Sequence, residues 1–458
     1  MRIEQMKSYE IQPTEENVLK TLLEDTVGRN KDIKCFIQML DHLEDHWSIS
    51  LDSQWGSGKT FFVKQTKLVL EAFNDYIEKD IDESDVAAIK SMFKNDLGTT
   101  QLFLPIYYDA WANDNDDDPI LSLIFQITKA VDTYYDIKNL PSFADIGISI
   151  CSILTGKNYQ LLFESLKSTD PLVKIKKENE IQGEINRFFT QLHEERADRV
   201  VIFVDELDRC KPTYAVRFLE RIKHYFTNDS IMFVFSINSM ELQHTIKRFY
   251  GNNFNSYEYL NKFFNLSVSL PKANMTGFYS LIKYDCDSNY WYDHISRTVI
   301  KHFNFDMRLI CQYLQHEKMC RYTYLHPASG TERLFDRSFR NICAIFVPII
   351  LGIRMHNISL YNSFINGNTP KILPEILAES ELKEYVDKFI FGINEERVWS
   401  LTEADLMELY NTIMNYPNSL SYRGKAFGYI TIDNKTKENI LMQTELISEQ
   451  SDLLKEKK

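Results

Sequence analysis

The sequence has no apolar run of bilayer length. A membrane-spanning helix needs about 20 apolar residues. The two candidates, ISICSIL at 148–154 and ICAIFVPIILGI at 342–353, are seven and twelve residues long. Both read as buried core helices. The N-terminus, MRIEQMKSYEIQ, has no apolar signal core. Paired cysteine spacing is also missing. The seven cysteines, at 35, 151, 210, 286, 311, 320 and 343, are odd in number and contain no CxxC. They read as free thiols in a reducing cytoplasm, which argues against a zinc site. Positive charge is short: 52 Lys and Arg against 65 Asp and Glu leave a net charge of −13. That argues against a chain-wide nucleic-acid coat, because neutralising phosphates needs clustered cations, although a local basic groove stays open. There is no internal repeat and no low-complexity tract.

What remains is a globular composition, 44% apolar and 26% charged over 458 residues. That is enough chain for two to four domains. WSISL at 47–51 reads as a short strand, and 61–73 has the apolar spacing of a helix. LFLPIYYDAW at 102–111 reads as a second strand, and Asp118 with Pro119 can start the next helix. Residues 200–204 are five consecutive apolar residues, the mark of a strand buried on both faces. A helix at 214–226, a strand at 231–239 and a strand within 264–271 follow. Alternating strands and helices predict a parallel sheet flanked by helices. Beyond about residue 275 the strand signals fade into aromatic-rich helical patterns.

LDSQWGSGKTFFVKQ, at 51–65, stands between the first strand and its helix. Gly58, Lys59 and Thr60 complete the end of a phosphate-binding loop, but Ser53 stands where the first glycine belongs. Backbone amides over Gly56 to Thr60 would cradle phosphates, with Lys59 on the terminal ones and the Thr60 hydroxyl on magnesium. The helix starting there adds its dipole. Ser53 reads as a mild strain site, on the assumption that the position requires φ > 0, at a cost on the order of 1 kcal/mol. Asp205, ending the buried run, suits magnesium, and Glu206 suits polarisation of the attacking water. Asn238, at the end of another buried strand, can position that water.

These motifs together resemble the KAP family of P-loop NTPases. The carriers are Trp55 before Gly56, Ser57, Gly58, Lys59 and Thr60; Asp109, Ala110 and Trp111; Asp205, Glu206, Leu207, Asp208, Arg209, Cys210 and Pro212; and Tyr259, Leu260, Lys262 and Pro271. Glu206 replaces the family's second Asp, Asn238 stands where many members carry Asp, and no membrane hairpin is inserted. The resemblance implies an α/β fold: an ASCE-like P-loop NTPase sheet over 1–275, followed by an α-helical C-terminal domain over 276–458. It implies Mg2+-dependent ATP hydrolysis, with Glu206, Lys59 and Asn238 catalytic, Trp55 through Phe61 on the nucleotide, and Thr60 and Asp205 on the metal.

By association it also implies a regulated switch in bacterial antiphage defence. A nucleic-acid-stimulated NTPase and a non-hydrolysing nucleotide-binding scaffold are the alternatives. Partners stay open: a homo-oligomer, an effector protein encoded nearby, or nucleic acid. Four further groups read first as structural. Asp208 and Arg209 form an ion pair anchoring the turn, or else face the nucleotide at a subunit boundary. Arg217 and Arg221 lie on a surface helix, or act across an oligomer interface. Asp114, Asp116, Asp117 and Asp118 form a solvated helix cap, or else a metal site. Lys174, Lys176 and Lys177 belong to a charged linker, or else touch nucleic acid, and Arg340 is a weaker candidate for sensing phosphate.

Overall fold

The computed structural model describes residues 9–77, 79, 81–94, 101–116, 118–120, 122–124, 126–127, 183, 185–186, 190, 197–284, 291–325, 337–378, 402–415, 425–427, 430–432 and 435–445. The expected core segment 148–154 and the lysines at 174, 176 and 177 lie outside these residues. The chain divides into two compact units, Gln12–Gly277, and Met1–Ile11 with Phe278–Lys458.

In the first unit, Glu15–Leu23 (α1) and Asn30–His42 (α2) precede Trp47–Asp52 (β1) and Lys59–Phe73 (α3). Glu83–Phe93 (α4), Phe103–Asp109 (β2) and Arg199–Asp205 (β3) follow. Pro212–Tyr225 (α5), Ile231–Ile237 (β4), Ser239–Tyr250 (α6), Ser256–Leu260 (α7) and Leu266–Ser269 (β5) complete the pattern, and the division falls within Met275–Leu281 (α8). The five strands form one parallel sheet in the order β2-β3-β4-β1-β5. Among the described strands β2 is at an edge, which fits Pro105, since proline has no N–H to give to a ladder.

All seven residues of β3 are buried. Val200, Ile202 and Val204 pack with Tyr108, Phe218 and Phe233 on one face, and Val201 and Phe203 pack with Ile37, Phe62 and Val63 on the other. A strand covered on both faces needs a continuous apolar run, which is why this segment is so plain in sequence. Because β4 separates β1 from β3, the ends of these strands stand side by side, with Asp52 opposite Ile237 and Asp205 opposite Ser236.

The second unit is mainly helical: Trp291–His302 (α9), Met307–Leu325 (α10), Arg337–His356 (α11), Ile358–Ile365 (α12), Ile372–Leu377 (α13), Glu403–Met414 (α14) and Thr436–Gln443 (α15). The apolar stretch 342–353 lies in α11, and Ile345, Phe346, Val347 and Ile350 are fully buried. Helices α9 and α10 pack on α11. Gly352 permits the approach: a Cβ there would meet Val299 Cγ1 at 2.2 Å. Among the described residues no helix is long and apolar enough to cross a membrane. One feature departs from the helical expectation, a small antiparallel hairpin of Lys425–Phe427 (β6) and Ile430–Ile432 (β7). Three-residue strands carry too little alternation to be read from sequence.

Candidate functional site

The loop from Ser53 to Gly58 leaves β1 and turns directly into α3. Its positive backbone angles are at Gly56 (φ 77°) and Gly58 (φ 86°), where a side chain would be strained. Ser53 is not among the positive-φ residues. The strain expected there is therefore absent, for a physical reason: Ser53 still belongs to the sheet edge, its N–H donating to Ile237 O of β4 at 3.2 Å. The turn that needs glycine comes three residues later.

Lys59 opens α3 and is 8% exposed. Its ammonium donates to the carbonyls of Ser53 (2.6 Å) and Gln54 (3.1 Å). Burial pulls Lys59 below the usual lysine pKa, while the charges of Asp208, Asp205, Glu206 and Asp52 oppose that shift. Four carboxylates at or just beyond the ends of β1 and β3 thus lie within electrostatic reach of one lysine. The Ser57 hydroxyl is buried with no hydrogen-bond partner. Thr60 and Phe61 are half-buried in the first turn of α3.

Sequence reasoning missed Arg29, which is 3% exposed just ahead of α2. Its guanidinium donates to the carbonyls of Ser57 (2.9 Å), Gly58 (3.3 Å) and Pro271 (2.9 Å). Arg29 therefore fixes the direction of the Ser57 and Gly58 carbonyls, which orients their peptide planes. Burial pulls Arg29 down to about 10, against the nearby Asp32 charge, so it stays cationic at neutral pH.

At the end of β3, Asp205 is 1% exposed. One of its oxygens accepts the Tyr107 hydroxyl (3.1 Å) and the other accepts the Glu206 N–H (3.1 Å). Glu206 adopts a left-handed backbone, φ 62° and ψ 23°, uncommon for a residue with a side chain. Burial and then the Asp205 charge push its carboxyl up to about 7, with Arg209 pulling the other way.

Asp208 accepts Trp55 Nε1 at 2.5 Å, and burial raises its pKa while that hydrogen bond and the Lys59 charge lower it. The expected Asp208–Arg209 pair does not form, because Arg209 pairs with Glu206 instead. Asn238 caps α6, its side-chain oxygen accepting from Met240 N (3.2 Å) and Glu241 N (3.4 Å). Only its amide N–H groups remain for another ligand.

The other candidates resolve locally. Arg221 pairs with Asp118 at 2.6 Å, whereas Arg217 is exposed. Asp114 accepts the Lys211 N–H at 3.1 Å, and no cluster of three or more His, Cys, Asp or Glu side chains placed to hold a metal is present among the described residues. The side chain of Arg340 lies outside the described residues. Cys35, Cys210, Cys311, Cys320 and Cys343 are free thiols.

Phosphate chemistry accounts for this arrangement: left-handed glycines that open a loop, a buried lysine with only carbonyls to bond, and carboxylates at the neighbouring strand ends. Fold and site together define a P-loop nucleotide-binding domain with a five-stranded parallel sheet. The chain belongs to the KAP family of P-loop NTPases, since the family model for the KAP family P-loop domain matches residues 29–316. A comparison with curated proteins gives no match.

Proposed function

We propose that this chain binds ATP in the loop Trp55–Phe61, hydrolyses it with Mg2+, and uses the nucleotide state as a switch. The observation that carries the reading is Lys59, buried against loop carbonyls and within electrostatic reach of Asp205 and Glu206. A buried ammonium held by neutral carbonyls is well placed to exchange them for phosphate oxygens, which bear full charge. The donor set also fits the metal: Thr60 offers a hydroxyl and Asp205 a carboxylate, hard oxygen ligands of the kind magnesium takes. Bound there, the ion would neutralise charge on the phosphate oxygens.

The residues then divide the work. Amides of Gly56 to Thr60 and the α3 dipole hold the phosphates. Glu206 accepts a proton as water attacks the γ-phosphorus and the bond to the β-phosphate oxygen breaks, giving ADP and phosphate. Asn238 directs its amide N–H toward that water, since its carbonyl is committed to the α6 cap. A role in antiphage defence, through a homo-oligomer or an effector protein encoded nearby, extends this reading.

The test is calorimetry of ATP binding to the parent and to Lys59→Ala. Binding should be lost with the ammonium, and equal affinity in the two proteins would remove the loop from the account. Adding DNA or RNA at low and physiological salt to a turnover assay separates a nucleic-acid-stimulated enzyme from an unstimulated one.

A further inference from the structure

Arg209 has a setting that the hydrolysis scheme does not use. It lies on the short 3-10 turn Leu207–Arg209, three residues beyond Glu206, with its Nε in ion-pair contact with Glu206 Oε2. That contact is electrostatic rather than an aligned hydrogen bond, because Glu206 Oε2 has no hydrogen-bond partner. The guanidinium carbon lies 5.5 Å from the ring centroid of Trp55 and 5.5 Å from that of Trp111. Trp55 belongs to the phosphate loop, and Trp111 follows β2. Trp55 is 39% exposed and Trp111 52% exposed, so burial alone gives little reason for either ring. Cation–π contact with a shared guanidinium gives one.

We propose that Arg209 is a positioning residue that holds the Glu206 carboxylate away from the attacking water until the phosphate loop is loaded, with Trp55 linking loop and latch. The inference rests on the nucleotide reading above. Loading draws Lys59 off the carbonyls of Ser53 and Gln54, the two residues that immediately precede Trp55. A shift of Trp55 takes one of the two rings from Arg209 and loosens the Trp55 N–H bond to Asp208. Arg209 then loses half of its ring contact and releases Glu206. Until that point the carboxylate is turned toward a cation.

The experiment measures steady-state ATP hydrolysis by the full chain and by Arg209→Ala, Arg209→Lys and Trp111→Leu. ATP affinity is measured by calorimetry, and tryptophan emission is recorded with a non-hydrolysable ATP analogue. Arg209→Ala should raise kcat several-fold, up to about tenfold, with KM and Kd within about twofold of the parent. Tenfold corresponds to 1.4 kcal/mol, a fair ceiling for a part-exposed ion pair with ring contacts. Trp111→Leu removes one ring and should raise kcat less. Arg209→Lys keeps the charge without the planar stack and should also fall between.

The analogue should change tryptophan emission in the parent and at most half as much in Arg209→Ala. If Arg209→Ala does not fold, the lysine and Trp111 variants carry the same test. A fall in kcat in these variants, as for a guanidinium acting on phosphate or aligning the base, overturns the latch. So does an unchanged kcat. Failure of the parent to bind ATP sinks the nucleotide reading and the latch with it, whereas ATP binding with a lowered kcat sinks the latch alone.

Discussion

Replacing Arg29 with methionine keeps the apolar stem and removes the guanidinium. Three part-buried hydrogen bonds are lost, to Ser57 O, Gly58 O and Pro271 O, at 2.9, 3.3 and 2.9 Å. Bonds to a charged donor contribute about 1.5 kcal/mol or more each, and the 3.3 Å contact less. The carbonyls left behind differ in their access to water, since Ser57 and Gly58 are half-buried and Pro271 is exposed. Against this, the substitution also removes the cost of burying a cation, which shows in its pKa, lowered to about 10. The balance is a loss of about 2–4 kcal/mol in the stability of the P-loop unit.

The loop carbonyls would also lose their fixed direction, and with it the amide cradle, so ATP affinity should fall by about tenfold or more, 1.4 kcal/mol per decade. Urea unfolding followed through tryptophan emission and calorimetry with ATP measure the two effects. An unchanged midpoint with an unchanged Kd would refute the argument. A lowered midpoint with unchanged affinity would reduce Arg29 to a structural tie.

Three further outcomes are expected. Asp205→Ala should lose the Mg2+-dependent part of ATP affinity, measured as Kd with and without the ion; an equal loss in both conditions would move the metal elsewhere. Ser53→Gly should leave ATP affinity unchanged, because Ser53 has no positive φ to relieve, and should lower the urea midpoint slightly, by about 0.5–1 kcal/mol of unfolded-chain entropy; tighter binding by the glycine variant would restore the strain reading. His46 bonds to Ile231 O through Nδ1 at 3.0 Å, and burial lowers its pKa, with Asp229 opposing and Arg199 assisting. A histidine with a depressed native pKa contributes stability above its unfolded value of about 6.5 and loses it as pH falls, so His46→Gln should lose less thermal midpoint than the parent between pH 7.5 and 5.

The sheet was legible because burial writes itself into composition. Residues 200–204 had to be apolar to lie between two layers, and the alternation of such runs with helical spacing announced a parallel sheet. The ends of those runs then located Asp205, Glu206 and Asn238. What stayed hidden depends on partners distant in sequence. Arg29 works through backbone carbonyls 28, 29 and 242 residues away, and no residue type at those positions advertises an acceptor.

The strain expected at Ser53 is absent because a motif position does not fix a backbone angle; the chain bends at Gly56 and Gly58. The two ring contacts of Arg209 need residues 55, 111 and 209 in one place, which only the register of β2 on β3 and the return of the loop bring about. Arg209 looked like a partner for its neighbour Asp208, but the left-handed turn at Glu206 goes with a pairing three residues back instead.

The most direct test of the central claim is the identity of the nucleotide after incubation of the parent and of Glu206→Gln with Mg-ATP. The parent should convert bound ATP to ADP and phosphate. Glu206→Gln should bind ATP as well as the parent but hydrolyse it about 10²-fold or more slowly, in line with loss of a general base, so that intact ATP is recovered from the protein. Equal conversion by the two proteins, or ATP recovered intact from the parent, would contradict the account.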